Sequence, residues 1–270
     1  MPDKQFAGQF EVDPNFDMAA YIEKRIEETR CEFERQLSIV DGLNDDSLQL
    51  ICMFSMIDCM AQEWDNYSER KQSDIFCDFV LSHQTSFDYL DAVEPITLYY
   101  RVEDLIEKQS PFSGMPEERI ISLESLVYLD LRFTKDVVKT NKADEILEYL
   151  RKTHGTQYAD KKAKEHRLVA LLYRMRSKAT HEMTGLGSEI KFHKRENYTE
   201  PYYRDIGRTY VENEHIVRDD VCELVIPNAF IKTILTDCIN SYLSECREEK
   251  RDPFSNNRMT RKHILSWYDK

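Results

Sequence analysis

Fifteen residues, LLYRMRSKATHEMTG (171–185), carry the side chains in this chain best suited to chemistry. Read as a helix, they put Tyr173, Ser177 and His181 four apart on one face. Arg176 sits one residue before Ser177, and its long side chain reaches around to the same rim. A permanent cation, a titratable imidazole and a hydroxyl thus fall within about one and a half helical turns. That set suits cleavage of an RNA phosphodiester without a metal. The 2′-hydroxyl attacks the neighbouring phosphorus, and an imidazole takes that proton or gives one to the leaving 5′ oxygen. An arginine fork stabilises the extra negative charge on the non-bridging oxygens. His181 falls in the last turn of the helix, where the dipole favours the imidazolium. An arginine and a histidine five residues apart are also common as ordinary surface or core residues, and these residues alone leave both readings open.

A second residue stands out. Asp58 is the only charged side chain between Ser47 and Gln62 (SLQLICMFSMIDCMAQ). A carboxylate in a buried apolar helix is costly unless it is paired or hydrogen-bonded. It either orients Arg176 or His181, or forms a structural bridge to some other cation. The remaining candidates are weaker. The other histidines show no zinc-ligand spacing and no Gly-rich phosphate loop occurs, so neither a metal nor another cofactor is expected. The run FHKRENYTEPYYRDIGR (192–208) puts Tyr202 and Tyr203 beside basic residues, which could stack on RNA bases, though such a run is more often a packed or mobile loop.

The elements that must position these groups read as helices. Gly (7) and Pro (8) are scarce in 270 residues, which disfavours many short strands joined by tight turns. Asp17 caps a helix over 18–40, and DGLNDDS (41–47) breaks it. A second helix runs over 48–67, and Ser73 caps a short third one. Another spans 88–107 with a kink or split at Pro95, then QSPFSGMP (109–116) forms a loop. Two helices fill 117–154 and end at His154-Gly155. The segment 160–184 reads as one helix, with Leu168, Leu172, Met175 and Ala179 as its core stripe. Segments 208–217 and 221–226 resemble a β-hairpin turning at Arg218-Asp219-Asp220, and Pro227-Asn228 opens an amphipathic helix to about Cys246. The expected architecture is mainly α: a helical bundle with a small β-hairpin before the last long helix. Residues 1–270 are expected to form a single domain, with core helices over 18–184, the hairpin over 208–226, and a C-terminal helix and tail over 227–270.

Composition narrows the class. Hydrophobic residues make up 41% and charged residues 32%, which is globular rather than disordered. The seven cysteines include no C-x-x-C pair, so buried free thiols in a reducing cytoplasm are expected rather than disulfides or zinc. The apolar run 50–61 is too short to cross a membrane, and no membrane partner is expected. The net charge of −13 argues against broad nucleic-acid binding. Yet residues 161–195 hold ten Lys and Arg against three Glu, a local excess of +7. Such an island either faces an anion or is a solvated helix face.

The motif Arg176-Ser-Lys-Ala-Thr-His181 resembles that of the HEPN superfamily, Arg-x(4–6)-His on a core helix. The surrounding LLYRMRSKATHE is similar to the bacterial pattern, in which an aromatic precedes the Arg and a Glu follows the His. The segments MFSMIDCMAQEW and IPNAFIKTILTDCINSYL fit only loosely. The resemblance implies a HEPN-like bundle, a homodimer whose two Arg/His helices build one composite site, and an RNA substrate. It implies catalytic roles for Arg176 and His181, a supporting role for Ser177 and for Asp58 from an earlier helix, and RNA contacts by Tyr173, Arg174 and Lys178. Many members are ribonucleases of toxin–antitoxin or antiphage systems, so an antitoxin or defence-system partner protein is also implied. Where a partner nucleotidyltransferase silences the toxin, a Tyr stands two residues after the His. Here that position is Met183, which departs from that mode of regulation. The alternative is a non-catalytic HEPN-like module for dimerisation or partner binding.

Overall fold

The computed structural model describes residues 17–99, 142–182, 190–193, 199–212 and 215–254, with side chains left out at 142, 178–182, 190–193, 203–212 and 215–223. Expectations for the loop 109–116, the helix over 117–141, Gly185, Gly187 and Trp267 lie outside the described residues.

Helix α1 (Met18–Asp41) starts where Asp17 accepts a hydrogen bond from the Ala20 amide at 3.1 Å, and Gly42 follows its end. Asp45 caps α2 (Asp46–Trp64) in the same way, at 2.8 Å from the Leu48 amide. Both caps satisfy an amide that helix geometry leaves without an intrahelical partner. α2 is apolar almost all round, and Leu50, Phe54, Ile57 and Met60 are fully buried along it. A helix of that kind needs neighbours on several sides. α2 has them: α1, α3 (Gln72–His83), the motif helix and the last long helix all pack on it. α3 starts at Gln72 after Lys71, with no side-chain cap, so Ser73 lies inside the first turn and does not cap it.

The expected helix over 88–107 is replaced at its start by turns. Helix begins only at Pro95 and is described over 95–99. Proline is well suited to that first helical position, since its missing N–H would have no partner there. The buried Glu94 carboxylate accepts from the Ile96 and Thr97 amides at 2.9 and 2.7 Å. The turns before it reshape the next region. Leu168 and Val169 donate their amides to Ala92 and Leu90 carbonyls, and Glu94 donates to the His166 carbonyl. Those bonds pull residues 166–167 out of helical register, so the expected single helix over 160–184 is two: α5 (Thr156–Glu165) and α6 (Leu168–Glu182). α4 (Lys142–His154) precedes them and ends at Gly155, whose φ of +89° is open to glycine at little cost.

The hairpin is longer than expected and turns elsewhere. β2 (Tyr202–Glu212) pairs antiparallel with β3 (His215–Pro227), from Tyr202 opposite Val225 to Glu212 opposite His215. Arg218, Asp219 and Asp220 therefore lie within β3, opposite Thr209, Arg208 and Gly207. The polar triplet looks like a turn by composition, but the cross-strand ladder runs through it. β1 (Ile190–His193) pairs parallel with the end of β3, giving the order β1-β3-β2. The chain then enters α7 (Asn228–Glu248), where Phe230, Ile234, Leu235 and Tyr242 are buried against α1, α2 and α3. Burying each such side chain contributes roughly 1.5–3 kcal/mol. The Asn228 amide donates to the Gln49 side-chain oxygen at 2.9 Å, pinning the start of α7 to the start of α2. The molecule is mainly helical, as expected. Among the described residues no helix is long and apolar enough to cross a membrane.

Candidate functional site

The site is built on α6 from a division of its surface. Leu168, Leu172 and Met175 turn inward and are at most 1% exposed, leaving Tyr173, Arg176 and Ser177 half-buried at the margin of the core. Tyr173 and Arg176 are three apart and therefore neighbours on the helix surface. The Arg176 guanidinium lies 5.7 Å from the centre of the Tyr173 ring, within cation–π range. That ring is held from behind by Phe76 of α3, 5.5 Å away centre to centre.

α2 supplies the counter-charge. Arg176 Nε donates to Asp58 Oδ2, and each side chain keeps only 18% of its surface exposed. Asp58 therefore faces Arg176, a contact that serves both readings of this residue, as a structural ion pair and as an orienting partner. Burial pushes the Asp58 carboxyl above the usual carboxylate range, and the charge and hydrogen bond of Arg176 pull only part of that back. Burial likewise raises the Tyr173 phenol, against the opposing pull of Arg176. The result is a fixed cation at the rim of the core, clamped by a carboxylate and an aromatic face. Such a clamp holds a guanidinium in one orientation, which electrostatic stabilisation of a developing oxyanion requires.

Side chains of α6 are described as far as Ser177, so those of Lys178 and His181 lie outside the described residues. The backbone carries both within the same unbroken helix as Arg176. Five residues separate Arg176 from His181, a rise of about 7.5 Å at 1.5 Å per residue.

A cavity of about 290 Å³ opens on the other side of Tyr173, between α3, α5 and the start of α6. Arg174, exposed, lies at its wall with Tyr173, and Lys161, Lys164 and Arg167 also face it. The basic island thus has a location: a large part of it gathers around one cavity. Arg174 was expected from the motif, whereas Lys161, Lys164 and Arg167 were legible only as charge excess. A larger groove of about 630 Å³ between α1 and α2 is apolar at its floor, with Phe33, Val40 and Met56, and only Arg25, Glu28 and Glu32 carry charge there.

The other noted residues are accounted for by packing. His166 is buried and its Nδ1 lies 3.0 Å from Thr97 Oγ1, while His154 stacks on Tyr158 at 5.1 Å. Tyr202 is half-buried in β2, and the Tyr203 side chain lies outside the described residues. Of the described cysteines, Cys77, Cys238 and Cys246 are buried, but Cys31 and Cys59 are exposed and Cys52 is intermediate, so burial holds for half of them. α1 and α2 each present such a thiol on the side turned from the core. Among the described residues no three His, Cys, Asp or Glu side chains converge to hold a metal.

Compared with models of protein families, with curated proteins and with solved structures, the chain matches none of them at a significant level.

Proposed function

We propose that this protein is a metal-independent endoribonuclease of HEPN type, working as a homodimer in a toxin–antitoxin or antiphage defence setting in the cytoplasm. The observation that carries the reading is the clamp on Arg176: a cation five residues ahead of a histidine on one helix, fixed by Asp58 and Tyr173. In this reading the 2′-hydroxyl of RNA attacks the adjacent phosphorus, and His181 moves the proton. Arg176 faces the charge that accumulates on the phosphorane, and Ser177 supports the phosphate. Asp58 acts through Arg176 as a positioning residue. Isologous symmetry sets two α6 helices face to face, so that each composite site has two arginines and two histidines to divide between proton transfer and charge stabilisation.

One observation favours a second reading, a non-catalytic dimerisation or partner-binding module. Asp58 offsets the charge of Arg176, and the chain outside 161–195 carries −20, which opposes the approach of RNA. The experiment that separates them is incubation of the purified protein with total RNA in EDTA, beside an Arg176→Ala/His181→Ala variant. The ribonuclease reading expects cleavage by the parent alone, leaving 2′,3′-cyclic phosphate or 3′-phosphate ends. Intact RNA with a stable dimer favours the module. Cleavage that vanishes with chelator and returns with magnesium overturns the mechanism.

A further inference from the structure

The cavity beside Tyr173 has a wall of unusual chemistry. Four cations line it, yet so do the carboxylates of Asp74 and Glu165. A site for a bare anion has no use for two carboxylates, and a site for a neutral molecule has no use for four cations. We infer that this cavity is a subsite for one ribonucleotide unit, which presents a phosphate, a sugar with hydroxyl donors and a flat base together. The inference rests on the RNA reading only for the source of that unit, a strand rather than a free nucleotide.

Each part of a ribonucleotide meets matching groups. Lys161 and Lys164 project from α5 with 71% and 65% of their side chains exposed, and Arg174 comes from α6. Together they can engage phosphate oxygens as point charges and as a fork. Asp74, beside Ser73 in the first turn of α3, accepts from ribose hydroxyls, the feature by which a protein distinguishes RNA from DNA. Tyr173 presents its ring, and Ala170 and Cys77 are small enough to leave room beside it for a base. At about 290 Å³ the space is near the lower end of ligand-binding pockets, suited to one unit rather than several.

The cations are engaged without ligand. Lys164 lies 3.1 Å from Asp74, Lys161 lies 3.9 Å from Glu165, and Arg167 donates to Asp91 at 2.5 Å. Pairs as exposed as the first two cost little to open. Opening them on arrival of a phosphate releases Asp74 toward the sugar, while Glu165 stays held by Lys162 at 2.5 Å and forms a fixed wall. Tyr173 is shared between the cavity and the Arg176 clamp, so a unit bound here sets the adjoining phosphodiester beside Arg176.

The test is a binding measurement that does not depend on cleavage. Full-length His181→Ala protein, expected to consume the probe slowly if at all, is titrated with a labelled single-stranded oligoribonucleotide, with DNA of the same sequence, with adenosine 5′-monophosphate and with inorganic phosphate. Arg174→Glu and Lys161→Glu are each expected to weaken oligoribonucleotide binding at least tenfold and to make its salt dependence shallower. Lys24→Glu, on α1 and outside the cavity lining, is expected to leave it within twofold. Asp74→Asn is expected to narrow the preference for RNA over DNA. Competition by the monophosphate at micromolar concentration, when the oligoribonucleotide binds no tighter, identifies a free nucleotide as the ligand and keeps the subsite. The inference is overturned if no probe binds, if only inorganic phosphate binds, or if the cavity variants behave like Lys24→Glu. RNA that binds at the cavity but is never cleaved by the parent refutes the ribonuclease reading alone. RNA that is cleaved, with binding indifferent to the cavity variants, refutes the subsite alone.

Discussion

The charged clusters around His83 and around Arg176 both lie at the helical core, and they differ in enclosure. His83 of α3 is 1% exposed and stacks on Phe79 at 4.3 Å, with Trp64 and Tyr242 meeting it edge-on. Its two ring nitrogens lie 2.9 Å from the Phe79 carbonyl and 2.9 Å from Glu245. Glu245 is bridged in turn by Arg251, which also donates to the Tyr242 hydroxyl. The network ties α3 to α7 and to the chain beyond it. The Arg176–Asp58 clamp is also an ion pair at the edge of the core, but it sits at a rim and shares Tyr173 with an open cavity. The first network encloses its histidine completely, although Glu245 and Arg251 reach solvent, whereas the clamp has its Tyr173 ring on a cavity wall. Residue type alone does not distinguish them: His83 is a histidine beside a carboxylate, as a catalytic base often is, and the fold seals it.

The largest expected effect breaks this comparison if it fails. His181→Ala is expected to lower RNA cleavage by about 10² to 10⁴, the usual worth of a proton-transfer group. Arg176→Ala is expected to lower it by about 10² or more through lost charge stabilisation. His83→Ala is expected to leave cleavage per folded molecule within a few-fold. Gel-based rates normalised to folded protein check all three, and a silent His181 variant ends the catalytic assignment.

Stability runs the other way. His83→Ala removes a buried ring and strands its partners, at a cost on the order of 3 kcal/mol. Asp58→Ala leaves the Arg176 charge without this carboxylate, but the pair keeps some contact with solvent, so the cost falls below the roughly 3–5 kcal/mol of breaking a fully buried pair. Chemical denaturation of both variants ranks the two clusters, and equal losses would erase the distinction drawn between them.

A smaller effect sharpens it through pH. Burial raises the Asp58 carboxyl, and Arg176 opposes that rise. Arg176→Ala removes the opposition, so the folded-state pKa climbs further above the unfolded value of about 3.9. A raised carboxyl contributes stability below the unfolded pKa and loses it as pH rises through the folded one. Relative to the parent, the Arg176→Ala variant is therefore expected to lose melting temperature as pH climbs from the carboxylate range toward neutrality. A parallel pair of curves would show that Asp58 is not governed by Arg176.

The smallest effect concerns thiols. Burial pushes the Cys77 and Cys246 thiols up to about 11; desolvation and nearby carboxylates raise Cys31 and Cys59 as well, but these two are exposed, so access favours them. A thiol reagent at pH 8 is expected to modify Cys31 and Cys59 first and the buried pair only on unfolding. Prompt labelling of Cys77 would mean that the cavity beside it opens more widely than its walls indicate.

Local sequence signals already give the helical class, the α1 and α7 boundaries within two residues, and the inward Leu168, Leu172 and Met175 of α6. Those features are local: caps, breakers and a 3.6-residue period are written in neighbouring positions. Asp58 stood out as well, because one charge in an apolar run is visible without coordinates. What Asp58 faces is settled by packing, since α2 and α6 are more than a hundred residues apart in the chain. Packing also decided that helix 160–184 breaks at 166–167, because the breaking hydrogen bonds come from residues 90–94. The hairpin register is set likewise by pairing across strands, which let β3 run through Arg218-Asp219-Asp220. And the grouping of Lys161, Lys164 and Arg174 around one cavity follows from the angle between α5 and α6 that this break creates, a packing outcome that no period along the chain encodes.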